Sequence, residues 1–189
     1  MKKSILAAII LTVAFIVTAA IKQNQEFLFY SLTLVVLVSL VFILDKRFNF
    51  SAVGLWGFDA WMVLHLAGGL ATVGGVSLYA LLLLPIVGEP YHILKYDQLV
   101  HVYCYVVIAI LAYEVLAGLL TESSALAIAS LTVLLAMGIG ALNEVVEFMA
   151  VVAVGSTGVG DYMNNAIDLV ANLLGGILGA AYCVMRQRH

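Results

Sequence analysis

Residues Phe27 to Leu44 read FLFYSLTLVVLVSLVFIL, without one charged side chain. A helix rising about 1.5 Å per residue crosses a hydrocarbon core of about 30 Å in about 20 residues, so a run of this kind is a predicted membrane span. The same reading extends outward in both directions. Ser4 to Ile21 is a first apolar run behind Lys2 and Lys3, and Leu55 to Val76 is a third, which carries Asp59 and His65. Leu78 to Val87 is too short to span and leads into Gly88-Glu89-Pro90 and the polar stretch Tyr91 to Asp97. Residues 77–97 are therefore predicted to be an outer loop with a short re-entrant or interfacial helix. Gln98 to Leu120, Ala125 to Val154 and Asp161 to Met185 complete six predicted spans. Lipid offers backbone N–H and C=O groups no partner, which leaves helix as the form these runs take.

Composition agrees with that reading. Of 189 residues 65% are hydrophobic and 10% charged, with a mean hydropathy of +1.15. So little charge cannot cover the surface of a water-soluble domain, and no second, soluble domain can be built from what remains. The predicted fold class is all-α: a polytopic membrane helix bundle, one integral domain with the lipid bilayer as its principal partner. The net charge of −3 comes without a basic patch, so no nucleic-acid partner is expected. With N- and C-termini cytoplasmic, Lys2, Lys3, Lys46, Arg47, Arg186 and Arg188 fall inside and only Lys22 and Lys95 outside, the positive-inside pattern of a prokaryotic cytoplasmic (inner) membrane. Met1 to Ala19 also resembles a secretory signal, ending in Val17-Thr18-Ala19, although its apolar stretch is long for one. Cleavage there would leave the other five spans oriented as before. Cys104 and Cys183 fall near opposite faces, too far apart to bridge, and read as small apolar packers.

Polar residues inside spans are costly, about 2.5–3.5 kcal/mol for an Asp, Lys or Arg at a helix centre, and are usually paired or functional. Asp97 and His101 are four apart and share a helix face; Glu144 and Glu147, three apart, do likewise. Asp161, Asn165, Asp168 and Asn172 draw one stripe down the sixth span. Counted from the outer ends, His101 lies roughly 5 Å deep, Glu147 and Asp168 roughly 10 Å, Glu144 roughly 13 Å and His65 roughly 15 Å. Groups from several helices thus meet in one layer.

Carboxylates gathered at such depth repel one another or take up protons. A divalent cation resolves both problems, and imidazole with carboxylates suits zinc, manganese or iron. A proton-sharing cluster and a purely structural hydrogen-bond network are the other two readings. The spacing is no specific zinc signature, since HExxH is absent. Blander roles are expected elsewhere: Glu114 with a local structural partner, Asp59 at the interface, the glycine pairs as helix contacts. Tyr30, Trp56, Trp61, Tyr91 and Tyr96 are expected in an aromatic belt.

At these residues the chain resembles the YjdF-like predicted inner-membrane proteins. Tyr96-Asp97-x-x-x-His101, Asn143-Glu144-x-x-Glu147 and Gly160-Asp161 with Asp168 seven on follow that family's order, with His65 matching a histidine in the preceding span. The resemblance runs from about Leu55 to the C-terminus. Asp168-x-x-x-Asn172-x-x-Gly175 is also similar to the ending of VanZ-like proteins, some of which are linked to glycopeptide-antibiotic tolerance. Asn164 stands where the YjdF-like pattern favours an acid, and Glu147 where the VanZ-like pattern often has Gln. Neither resemblance implies an established reaction.

The residues together point to an outward-opening cation site used in metal-assisted hydrolysis or group transfer on a lipid or envelope substrate. His101, Glu144, Glu147 and Asp168 are the expected ligands, with Glu144 or Glu147 free as the catalytic base. His65, Asp97, Asn143, Asp161, Asn165 and Asn172 are expected to support the ligands or touch substrate. A proton- or cation-coupled transporter and a structural or accessory membrane subunit are the alternatives; the spans show no evident inverted repeat.

Overall fold

The computed structural model describes residues 1–155 and 162–187. Among them are six long helices: α1 (Lys3–Ile21), α2 (Gln25–Phe48), α3 (Ala52–Leu70), α4 (Tyr96–Leu119), α5 (Ala125–Val154) and α6 (Tyr162–Arg186). All six are long and apolar enough to cross a membrane. On α2 the residues Phe27, Ser31, Leu34, Val38 and Val41 are buried, while Leu32, Val36, Leu40 and Ile43 on the opposite face are exposed. In water that outer face would be untenable; facing acyl chains it loses nothing.

Side-chain caps start the helices where the apolar runs begin. Asn24, Ser51 and Ser124 each accept a hydrogen bond from the backbone N–H three residues on, at 3.0, 3.2 and 3.2 Å. Gln98 reaches back from α4, its Oε1 accepting from the backbone of Leu94 (2.7 Å) and Lys95 (2.9 Å). Asn49 ends α2 and Gly155 ends α5, both in the left-handed region at φ 52° and 65°.

The connection between α3 and α4 differs from expectation. The third span stops at Leu70 rather than Val76, and two small hairpins replace the predicted short helix. Strands β1 (Thr72–Val73) and β2 (Val76–Ser77) turn through Gly74 and Gly75, whose φ values of 61° and 85° suit a tight two-residue hairpin turn. After one 3-10 turn at Leu78–Ala80, β3 (Leu82–Val87) pairs antiparallel with β4 (Ile93–Lys95) across an irregular register. Pro85 explains the second difference: inside a helix it would leave one carbonyl unpaired and clash with the preceding turn, whereas an edge strand tolerates it.

The helices pack as two halves. Phe15, Phe27, Phe58 and Met62 centre the core of α1, α2 and α3. At the far end from the hairpins, Lys2 ties α1 to α2 through Asp45 Oδ1 and to the Phe50 carbonyl, both at 2.7 Å. The α4–α6 half packs through small residues. A Cβ on Gly175 would collide with the Val102 carbonyl oxygen, and one on Gly179 with that of Val106. These two parallel helices therefore touch backbone to backbone. Helix α5 runs antiparallel across them, with Ala136 against Gly176. The halves join where Gly57 meets Val107 and Tyr103 donates to the Gly57 carbonyl at 3.3 Å.

Overpacking of this kind costs about 1–3 kcal/mol. Gly175→Val should accordingly lower the melting temperature in detergent by several degrees. Gly138→Val, at a position with nothing within 4 Å, should leave it within a degree or two; equal effects at the two sites would contradict the close α4–α6 contact.

Candidate functional site

The polar residues of α4, α5 and α6 meet at the hairpin end of the bundle. One turn from the Gly175–Val102 contact, His101 Nδ1 lies 2.8 Å from Asn172 Oδ1. The amide oxygen can only accept, so Nδ1 is the ring nitrogen that donates to Asn172, and Nε2 is the one turned toward Asp97. Asp97 Oδ1 sits 3.6 Å from that Nε2, beyond hydrogen-bonding distance. Two donors on one tetrahedral zinc, each about 2.0 Å from it, stand about 3.3 Å apart. The separation fits an ion pair with a protonated imidazole as well as it fits two ligands of one ion.

Asn164 links the acids: its Nδ2 donates to Asp97 Oδ2 at 3.2 Å and to Asp168 Oδ2 at 2.5 Å, and its Oδ1 accepts from Lys95 Nζ at 3.4 Å. On α5, Asn143 Nδ2 donates to Glu147 Oε1 at 2.8 Å. The rest of the layer is short of partners. Glu144 is 8% exposed and Asp168 fully buried. Asp168 Oδ1 is buried with no hydrogen-bond partner among the described residues, whereas the Glu144 carboxylate, though outside strict hydrogen-bond geometry, interacts with the side-chain amides of Asn143 and Asn172. Asp97, His101 and Asp168 offer ligand atoms within 4.8 Å of one another, and so do His101, Glu144 and Glu147.

A cavity of about 290 Å³ opens onto this layer. Asp97, His101, Cys104, Tyr105, Asn143 and Glu147 form one side; Glu26, Phe27, Tyr30, Trp61, His65 and Tyr79 form the other. His65 is stacked among aromatic rings, with Phe15, Phe27 and Trp61 centroids at 5.6, 5.6 and 5.4 Å. Its Nδ1 pairs with the Tyr79 hydroxyl, which the turn after β2 carries back over the bundle. Burial first, and the Asp97 charge second, push that hydroxyl well above the usual tyrosine range.

A family model described as predicted membrane protein (DUF2238) matches residues 3–189. The chain belongs to the DUF2238 family. That membership is consistent with the YjdF-like resemblance and does not carry the VanZ-like one. No curated protein and no solved structure matches the chain.

In this DUF2238 chain, His101 groups with Asp97 and Asp168 and with Glu144 and Glu147, while Asn172 pairs with His101 and Asn143 with Glu147. Asp97, expected only as a support, has a carboxylate among the potential ligands. His65 shares the cavity but stands apart in its aromatic box. Asn165 is half-buried, with Oδ1 unpartnered among the described residues. Asp161 lies outside the described residues. Asn164 has no expected role in the sequence reading; its four-residue spacing to Asp168 is the available signal. Tyr30 and Trp61 line the cavity instead of an aromatic belt, whereas Trp56 and Tyr91 are exposed as belt residues are. Asp59 is packed inside the bundle, 5% exposed, with neither oxygen hydrogen-bonded among the described residues. Glu114 has the structural partner expected, accepting from the Ser51 N–H at 3.0 Å.

Since the folded state holds the Tyr79 hydroxyl neutral, its contribution to stability is complete below about pH 10 and declines as pH rises toward the folded value. Tyr79→Phe should melt a few degrees lower at pH 7, through the lost bond to His65, worth about 1 kcal/mol. Between pH 9 and 11 it should lose less stability than the parent. Parallel melting curves across that range would count against the buried hydroxyl.

Proposed function

We propose that the acid and histidine layer binds a divalent cation (zinc, manganese or iron) and serves hydrolysis or group transfer on a lipid or envelope substrate. In this reading the hairpin end faces outward from a prokaryotic cytoplasmic membrane, and the basic residues at the other end of the bundle stay inside.

The observation that supports it most is the buried Asp168 Oδ1, unpartnered among the described residues, in one group of potential ligands with His101 and Asp97. An unpaired charge in such surroundings costs several kcal/mol, and a cation removes that cost. His101, Asp97 and Asp168 are the ligands assigned to it, with Glu144 behind them. Asn172 holds the imidazole in the binding tautomer and Asn164 fixes the two aspartates. A bound ion would supply a Lewis acid for a phosphoryl or acyl oxygen. Glu147 lines the cavity, is oriented by Asn143, and is the carboxylate placed to accept the proton of an attacking water. The cavity's aromatic side offers an apolar wall to a lipid.

A conduit is supported less well. Between this cavity and a second one beside Glu114, at the opposite end of the bundle, the interior is filled by Val107, Ala109, Ile110, Thr132 and Ala136, all buried.

Protein purified in detergent should hold at least one zinc, manganese or iron per chain by elemental analysis. His101→Ala should hold less than a tenth of that. Chelated protein should lose hydrolysis of lipid phosphate or acyl esters in mixed micelles and regain it with metal. Metal-free preparations from metal-supplemented cells would end this reading, and liposome flux that depends on Glu144 or Glu147 would favour transport.

A further inference from the structure

We infer that the cavity receives the ammonium group of a lipid headgroup: the substrate is an aminophospholipid whose cationic end sits between Glu26 and the rings of Tyr30 and Trp61. This names the substrate class of the hydrolysis or transfer proposed above, and rests on that reading only for the phosphate end of the head. It also changes the role of the aromatic wall, which takes the cation of the head instead of an acyl chain.

Charge is the first support. Three carboxylates line the cavity, Glu26 from the first turn of α2, Asp97 from α4 and Glu147 from α5, and none of the described residues lining it is a Lys or Arg. Two basic side chains at this end of the bundle are turned to other partners. Lys22 donates to the Leu70 carbonyl, and Lys95 to Asn164 Oδ1 at 3.4 Å. Glu26 is half-buried and has no ion pair among the described residues. A divalent ion on Asp97 and Asp168 leaves it unanswered, because Glu26 stands on the other wall and in neither group of potential ligands. A carboxylate so placed favours a cation carried in by the ligand and repels an anionic head.

The rings are the second support, independent of the acids. Tyr30, Trp61 and Tyr79 line the same wall as Glu26. The face of an aromatic ring attracts a cation within about 6 Å of its centre, most strongly where water is excluded. An acyl chain would be served by rings alone, and Glu26 would only count against it. Carboxylate and rings on one wall suit an ammonium group. Tyr30 relates this wall to the acid layer: its hydroxyl lies beside Glu26, and the charges of Asp97 and Glu147 reach it as well. A head with its nitrogen two carbons from the phosphate oxygen can therefore turn its phosphate to the layer and its ammonium to Glu26. The cavity, at about 290 Å³, is of headgroup size. Glu147 keeps the role of base.

Native mass spectrometry of the full chain in detergent tests this, with short-chain phosphatidylethanolamine and phosphatidylglycerol of identical acyl chains as probes. The ethanolamine lipid should bind about tenfold more tightly. Glu26→Gln should bring the two lipids within about threefold of each other while metal content stays that of the parent. Equal binding by the parent, or a preference for the glycerol lipid, overturns the inference and leaves the divalent-cation reading standing. Glu26→Gln that keeps the full preference overturns the assignment to Glu26. A metal-free parent that still prefers the ethanolamine lipid ends the cation reading and upholds the headgroup site. The parent's preference needs no variant, so it decides for or against the inference even if Glu26→Gln misfolds.

Discussion

The backbones of α4 and α6 touch, and the placement of the polar layer follows from that contact. Gly175 lies under the Val102 carbonyl and Gly179 under that of Val106, with no side chain between. Inside a membrane there is no hydrophobic drive to press helices together, so close approach through small residues supplies the attraction by dispersion. Asn172 and His101 are carried to 2.8 Å by the same approach, and Asn164, two turns earlier on α6, reaches Asp97, one turn earlier on α4. Side chains this short tolerate little change in helix spacing. A bulkier residue at Gly175 would separate the groups even though it touches none of them.

The two halves of the bundle divide the labour. The α4–α6 half concentrates acids, amides and one imidazole in surroundings where each unpaired group is expensive. The α1–α3 half contributes rings and a second imidazole, and closes the cavity from the other side. Tyr79 belongs to neither: the connection between α3 and α4 brings its hydroxyl down onto His65. The hairpins are thus part of the cavity wall as well as a link between spans.

Six spans and the layer itself could be read from residue spacing, because lipid leaves the backbone one choice and helical periodicity ties Asp97 to His101, Glu144 to Glu147 and Asp168 to Asn172. What spacing cannot supply is the direction in which each face looks. Tyr30 and Trp61 turn inward to line the cavity, Trp61 from the middle of α3, and Asp59 is buried for the same reason. The apolar stretch to Val76 reads as continuing helix although Gly74-Gly75 is a strong hairpin signal; a composition window averages over that turn. Asn164 reads in the sequence only as a missing acid, and an amide that donates to two carboxylates has no signature there.

The chain has only two thiols, and they fall one to each cavity. Cys104 lines the chamber beside His101; Cys183 lines the recess beside Glu114 at the other end of the bundle. Both are buried, so a reagent that modifies either one must first enter the chamber that thiol lines, and labelling at Cys104 or Cys183 reports access to that chamber without an engineered cysteine.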